Sequence, residues 1–200
     1  MWRLCIPCEA GGYCLGTTAT AGIRSPCPVG RFNSATGSTT AHACLPCPVG
    51  KFGLEEEKTS QALACTESCA TGKFGKPNVE KPDLGGETQV ETRNDESSCD
   101  ECTAGTYNNE NGQTACKDCS KGTYNDQEAR TSITDCQNCD SGKYSDQVRA
   151  SSSTDCQNCT AGSWSSTQGA TNITQCIDCE TGKYSTEPGR ATEGLFRTRV

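Results

Sequence analysis

Cysteine returns every 20 residues through the second half of the chain. Cys116, Cys136, Cys156 and Cys176 form one series, and Cys119, Cys139, Cys159 and Cys179 form a second, three residues behind it. A fixed period decides the architecture before any secondary structure is considered, because each unit must bury its surface against its neighbours. The phrase around each pair is CxxC, then xxGx and an aromatic: CQNCDSGKY from Cys136, CQNCTAGSW from Cys156, CIDCETGKY from Cys176. Upstream it reads CLPCPVGKF from Cys44, CDECTAGTY from Cys99 and CKDCSKGTY from Cys116. Variants open the chain: Cys27 starts CPVGRF, Cys65 and Cys69 stand one residue further apart, and Cys5 starts CIPCEAGGYC with Cys8 and an additional Cys14.

The period explains how such a composition folds. Leu, Ile, Val and Phe together make up only about a tenth of the 200 residues, below what a conventional hydrophobic core requires. The 18 cysteines fall in the range of disulfide scaffolds, where crosslinks replace the missing burial. The expected fold is small, disulfide-rich and mostly loop, with short β-hairpins strung into an elongated tandem-repeat rod. All aromatics except Trp2 and Phe196 stand two residues after a glycine, at Tyr13, Phe32, Phe52, Phe74, Tyr107, Tyr124, Tyr144, Trp164 and Tyr184. The glycine fits a turn with positive φ, and the ring is expected to lie over a disulfide as a miniature core. The polar runs that follow, such as NDQEARTSITD from Asn125, carry no helical periodicity.

Spacing suggests that the second cysteine of one pair bonds the first of the next: Cys27 with Cys44, Cys47 with Cys65, Cys69 with Cys99, Cys102 with Cys116, Cys119 with Cys136, Cys139 with Cys156, and Cys159 with Cys176. Cys8 would then take Cys14, leaving Cys5 and Cys179 unpaired by truncation. A rival register pairs Cys5 with Cys14 and Cys8 with Cys27, and sequence leaves the choice open. The units expected are a truncated first unit 1–26, repeats 27–46, 47–68, 69–101, 102–118, 119–138, 139–158 and 159–178, and an incomplete repeat with an atypical tail, 179–200. Residues 75–98 form an acidic, proline-bearing insertion, read as a flexible spacer with recognition as the rival role. Glu55, Glu56 and Glu57 read as a solvated acidic face.

Thiols at this density oxidise outside the cell and stay reduced inside it, so the chain is expected to be extracellular or at the cell surface. No apolar leader precedes Cys5 and no run approaches the length of a membrane span, so an export signal and any anchor are expected outside these residues. A net charge of −7 disfavours nucleic acid. His42, the only histidine, sits in a polar stretch, and no catalytic set converges on it. Zinc is the serious alternative, since Cys116, Cys119, Cys136 and Cys139 have the spacing of a four-cysteine ribbon, repeated at Cys156, Cys159, Cys176 and Cys179. The series has no boundary between such sites, which favours disulfides. Asp126 and Asp146 are equivalent, yet Ser166 interrupts the set and no calcium loop results. No metal, cofactor or catalytic residue is called for. Asn172 in NIT and Asn158 in NCT are glycosylation sequons, the second less accessible because a cysteine stands in its middle.

The phrase CxPCxxGxYC, then PCPxGxF and a Thr/Ser-rich loop ending in CxPCPxGxF, resembles the ephrin-receptor-like cysteine-rich repeats of large cell-surface proteins. More distantly it is similar to the modules of tumour necrosis factor receptors. The resemblance covers about residues 5–184. It implies a non-catalytic extracellular module in a receptor, adhesion or matrix protein, contacting neighbouring repeats or an unidentified protein ligand. An ectodomain binding its ligand through the variable loops, 75–98 included, is the second reading.

Overall fold

The computed structural model describes residues 6–15, 23–77, 80–82, 88–90, 93–193 and 197–198. The chain divides into two compact units: residues 1–100 with 111–114, and residues 101–110 with 115–200. Both are built from one local plan.

In the second unit the plan is nearly regular. Thr123–Tyr124 pairs antiparallel with Gln137–Asn138, Lys143–Tyr144 with Gln157–Asn158, and Ser163–Trp164 with Ile177–Asp178. Each aromatic therefore faces the residue just after the first cysteine of the next pair. The choice of partner is chemical: Tyr124 and Tyr144 donate their hydroxyls to Gln137 and Gln157 Oε1, at 3.2 and 2.9 Å, whereas Trp164 faces Ile177. Two-residue strands are too short to stand alone. What closes each hairpin is a disulfide at its base together with a backbone bond from the second cysteine to the repeat's glycine, as from Cys139 N–H to Gly122 O and Cys159 N–H to Gly142 O, both 2.8 Å.

The polar runs are more ordered than their composition suggests. Each ends in one turn of 3-10 helix before a cysteine, at Ile133–Asp135, Ser153–Asp155 and Ile173–Gln175. Ser132 and Ser152 cap the first two reciprocally with Asp135 and Asp155: the serine oxygen accepts from Thr134 or Thr154 N–H, while the carboxylate accepts from the serine's own N–H.

The first unit follows the plan with more variation. Arg31–Phe32 pairs with Leu45–Pro46, Lys51–Phe52 with Glu67–Ser68, and the longer Gly12–Leu15 with Ile23–Pro26. Its turns at Ala41–Ala43 and Gln61–Ala64 start at Thr40 and Ser60 without a side-chain cap. The insertion carries a hairpin of its own, Glu80–Pro82 with Thr88–Val90. Beyond it Arg93 is buried, its carbonyl accepts from Gly53 N–H, and its guanidinium donates to Lys76 O. The stretch read as a solvated spacer thus contributes an inward-facing residue to the unit.

Within each unit successive repeats are joined by backbone ladders. Gly122 N–H donates to Ser145 O, Asn125 N–H to Ala150 O, and Arg149 N–H returns to Cys119 O. One period later the donors are Gly142, Ser145 and Gly169, and the acceptors Ser165, Ala170 and Cys139. Parallel bridges mark the same seams at Tyr124 with Ala150, Tyr144 with Ala170 and Trp164 with Arg190, and in the first unit at Phe32 with Lys58.

These seams put two positions of the repeat into the left-handed region. One is the glycine before the aromatic. A β-carbon on Gly122 (φ +78°) would lie 2.2 Å from Gly169 O, and one on Gly142 (φ +85°) 2.3 Å from Gly189 O, so the glycine is needed for contact as well as for the turn. The other is the residue whose N–H donates back to a cysteine carbonyl one repeat before the nearest cysteines, as from Gly169 N–H to Cys139 O. It is glycine at Gly37, Gly112, Gly169 and Gly189 but Glu57, Ala129 and Arg149 elsewhere, with φ of 59°, 55° and 63°.

The interior of a repeat is sulfur and amide, with little hydrocarbon. Cys27, Cys44, Cys47, Cys69, Cys102, Cys119, Cys139 and Cys159 are fully buried, and so are Asn108, Asn125 and Ser145. Burying an amide side chain is tolerable only when its hydrogen bonds are made. Asn125 Nδ2 donates to Thr106 O and Gln127 O, and Oδ1 accepts from Gln127 N–H, all at 3.1 Å. Asn33 makes the equivalent set with Gly12 O, Ser38 Oγ and Ala35 N–H. The rings are shared between inside and outside: Tyr107 and Tyr144 are buried, Tyr184 is exposed, and Phe32 packs against Cys47 and Cys65, the disulfide of the following loop.

Candidate functional site: sulfur scaffold and presented loops

Eight disulfides hold the described residues: Cys8–Cys14, Cys27–Cys44, Cys47–Cys65, Cys69–Cys99, Cys102–Cys116, Cys119–Cys136, Cys139–Cys156 and Cys159–Cys176. Their Cα atoms stand 5.5–5.8 Å apart, the ordinary reach of a disulfide. Cys179 carries a free, half-buried thiol whose N–H still donates to Gly162 O as in the bonded repeats. Cys5 lies outside the described residues.

This bonding removes the zinc reading. Cys116 is joined to Cys102, Cys119 to Cys136 and Cys139 to Cys156, so the four sulfurs of the supposed ribbon belong to three different bonds and none offers a thiolate. Among the described residues no three His, Cys, Asp or Glu side chains converge as a metal site, the region of Asp126 and Asp146 included. His42 sits exposed in the turn Ala41–Ala43, away from any nucleophile–acid set.

The acidic run is not a free negative face. Glu55 pairs with Lys58, which holds its carboxyl below the usual carboxylate range, and Glu57 pairs with Arg24 at 2.5 Å. Glu57 is also bound through its backbone, N–H to Cys27 O. Arg31, partly buried, donates to Cys44 O at 2.9 Å, and burial draws its pKa below that of ordinary arginine.

One polar cleft of about 150 Å³ in the second unit is lined by Asn125, Gln127, Arg130, Thr134, Asp135 and Gln137. That is less than the several hundred Å³ of a typical small-molecule site, and two of its walls are already bonded, Gln127 N–H to Asn125 Oδ1. What the repeats offer is a set of loop side chains on a rigid frame. Ile133, Val148, Ile173 and Ile177 in the second unit, and Leu45, Leu54 and Leu63 in the first, are each at least half exposed.

The sequence reading missed the buried Asn or Ser that follows five of the aromatics, because amide and hydroxyl side chains read as loop surface. Their signal was positional: Asn33, Asn108, Asn125, Ser145 and Ser165 all directly follow the ring.

The fold agrees with what comparison finds. Residues 91–136 match the family model described as "Tyrosine-protein kinase ephrin type A/B receptor-like". The match takes in Cys99, Cys102, Cys116, Cys119 and Cys136, and with them the closed loops Cys102–Cys116 and Cys119–Cys136. Comparison with curated proteins finds no significant match. Among the described residues no helix is long and apolar enough to cross a membrane. The chain is a disulfide-rich tandem array carrying an ephrin-receptor-like cysteine-rich repeat.

Proposed function

We propose that the chain is a non-catalytic, extracellular interaction module of a larger cell-surface or secreted protein, spacing and presenting loop side chains to a protein partner. The observation that carries this reading is the division of labour within each repeat. Sulfur, glycine and the buried Asn or Ser are consumed by architecture, and apart from the tyrosine rings no titratable side chain is buried among the described residues of the second unit. What varies from one repeat to the next, Ile133 against Ser153 against Ile173 for example, lies outside. Scaffolds that separate frame from loops in this way suit recognition rather than chemistry.

The compartment is tested first. The chain is produced behind a secretory leader, denatured without reduction and titrated for thiols. Few thiols support the reading; a nearly complete set of 18 eliminates it.

A second reading, a signalling ectodomain binding through its loops, is favoured by the hairpin Glu80–Pro82 with Thr88–Val90, set in the longest disulfide-closed loop. Replacing residues 78–91 by a short Gly–Ser linker removes it while sparing Arg93. Loss of partner capture with unchanged disulfides supports that reading, and unchanged capture returns the role to the shorter loops.

A further inference from the structure

We infer that Asn172 is an N-glycosylation site and that Asn158, despite its sequon, is a framework residue. The inference rests on the extracellular reading for its occurrence in the native protein.

The two asparagines occupy different places in the repeat. Asn158 ends the strand Gln157–Asn158, and a β-carbon on Gly189, 31 residues on, would lie 2.9 Å from its Oδ1. Asn138, which is not in a sequon, stands at the same distance from Gly169, and Asp118 faces Arg149 at the same offset, 4.0 Å apart. This position therefore serves the seam between repeats whether or not a threonine follows. The middle residue of the sequon, Cys159, is fully buried and bonded to Cys176, and Thr160 is tied to Ser163. Asn158 and Thr160 are themselves exposed, but the sequon cannot be drawn out around Cys159 while the Cys159–Cys176 bond stands.

Asn172 stands where Ser132 and Ser152 cap their turns. Its Oδ1 accepts from Thr174 N–H at 3.0 Å and from Thr174 Oγ1, while its Nδ2 makes one exposed 3.3 Å bond to Thr171 Oγ1. The cap uses oxygen and glycosylation uses nitrogen, so the two do not compete. Nδ2 attacks the anomeric carbon of a polyprenyl-diphosphate-linked oligosaccharide; the N–C bond forms, the bond from that carbon to the diphosphate oxygen breaks, and polyprenyl diphosphate leaves. One Nδ2 proton is lost and one remains, enough to keep the Thr171 bond. Serine, the cap in the two preceding repeats, holds its turn equally well and offers no amide. The sugar would stand beside exposed Ile173, leaving the equivalent Ile133, two repeats earlier, open to a partner.

The full chain is expressed behind a secretory leader in glycosylating cells. Site occupancy is read by peptide mass after enzymatic deglycosylation, in secreted and cell-retained fractions alike. The expected result is occupancy at Asn172, its complete loss in both Asn172→Gln and Thr174→Ala, and no change in Asn158→Gln. Thr174→Ala keeps the Asn172 cap on the residue-174 N–H, so loss there is separated from misfolding. A disulfide-bonded product without sugar at Asn172, or sugar at Asn158, overturns the inference alone, whereas a product with free thiols overturns the extracellular reading.

Discussion

Gly122 and Gly169 meet across one seam of the second unit, and both hold left-handed backbone, with φ of 78° and 70°. They differ in what stands over them. A β-carbon on Gly122 would meet main chain, the carbonyl of Gly169 at 2.2 Å, whereas one on Gly169 would meet the side-chain oxygen of Asn138 at 2.9 Å. Main chain cannot swing away and an exposed amide can, and Ala129 and Arg149 hold the position of Gly169 in other repeats. Alanine at each glycine separates the two costs. Gly122→Ala carries both the left-handed backbone and a clash with main chain that cannot swing away, and is expected to cost about 3–4 kcal/mol. Gly169→Ala carries the backbone cost alone, about 1–2 kcal/mol. Denaturant melts of the two variants check the difference, and equal losses would remove the seam from the account.

How much of this was legible follows from the same positions. The 20-residue period and the Gly-x-aromatic phrase announce closed loops with short strands, because those residues act within one repeat. The Gly122–Gly169 contact joins residues 47 apart, and nothing in either glycine's neighbourhood signals it. The capping pairs Ser132 with Asp135 and Ser152 with Asp155 were readable as Ser-x-x-Asp, though hidden in runs whose periodicity spoke against helix. The second left-handed position was masked by Glu57, Ala129 and Arg149, while Gly37, Gly112, Gly169 and Gly189 at the equivalent place pointed to it. Zinc stayed an alternative because equally spaced CxxC pairs fit a metal ribbon and a disulfide chain alike; the missing boundary between sites favoured disulfides, and the bonding of Cys116, Cys119 and Cys139 agrees.

Next in size is the amide interior. Asn125→Ala removes a fully buried side chain and strands Thr106 O and Gln127 N–H, at an expected cost of about 2 kcal/mol. The matching Ser145→Ala, whose side-chain bond to Gln147 O is 3.5 Å, should cost less than half of that. Thermal melts of the pair would show whether the two repeats use the buried position alike. A smaller effect of opposite sign is expected at the second left-handed position. Ala129→Gly should stabilise by about 0.5–1 kcal/mol, because relief of positive φ exceeds the added freedom of the unfolded chain, whereas glycine already stands at 169 and 189.

The smallest effect is electrostatic. Hydrogen bonds to Glu180, then Glu193, hold the Lys183 ammonium above the ordinary lysine range. A raised pKa means that the stabilisation is complete below the unfolded lysine value and fades as pH climbs through the folded one. Lys183→Met should therefore lower Tm slightly at neutral pH, and the deficit should vanish in strong alkali and shrink with salt.

The central claim is that crosslinking takes the place of a hydrophobic interior, and peptide mapping of the unreduced protein tests it most directly. The account predicts linked pairs containing Cys119 with Cys136, Cys139 with Cys156 and Cys159 with Cys176, each two hydrogens lighter than its separate peptides. Unlinked peptides bearing alkylatable thiols, released from a protein that binds zinc stoichiometrically, would contradict it.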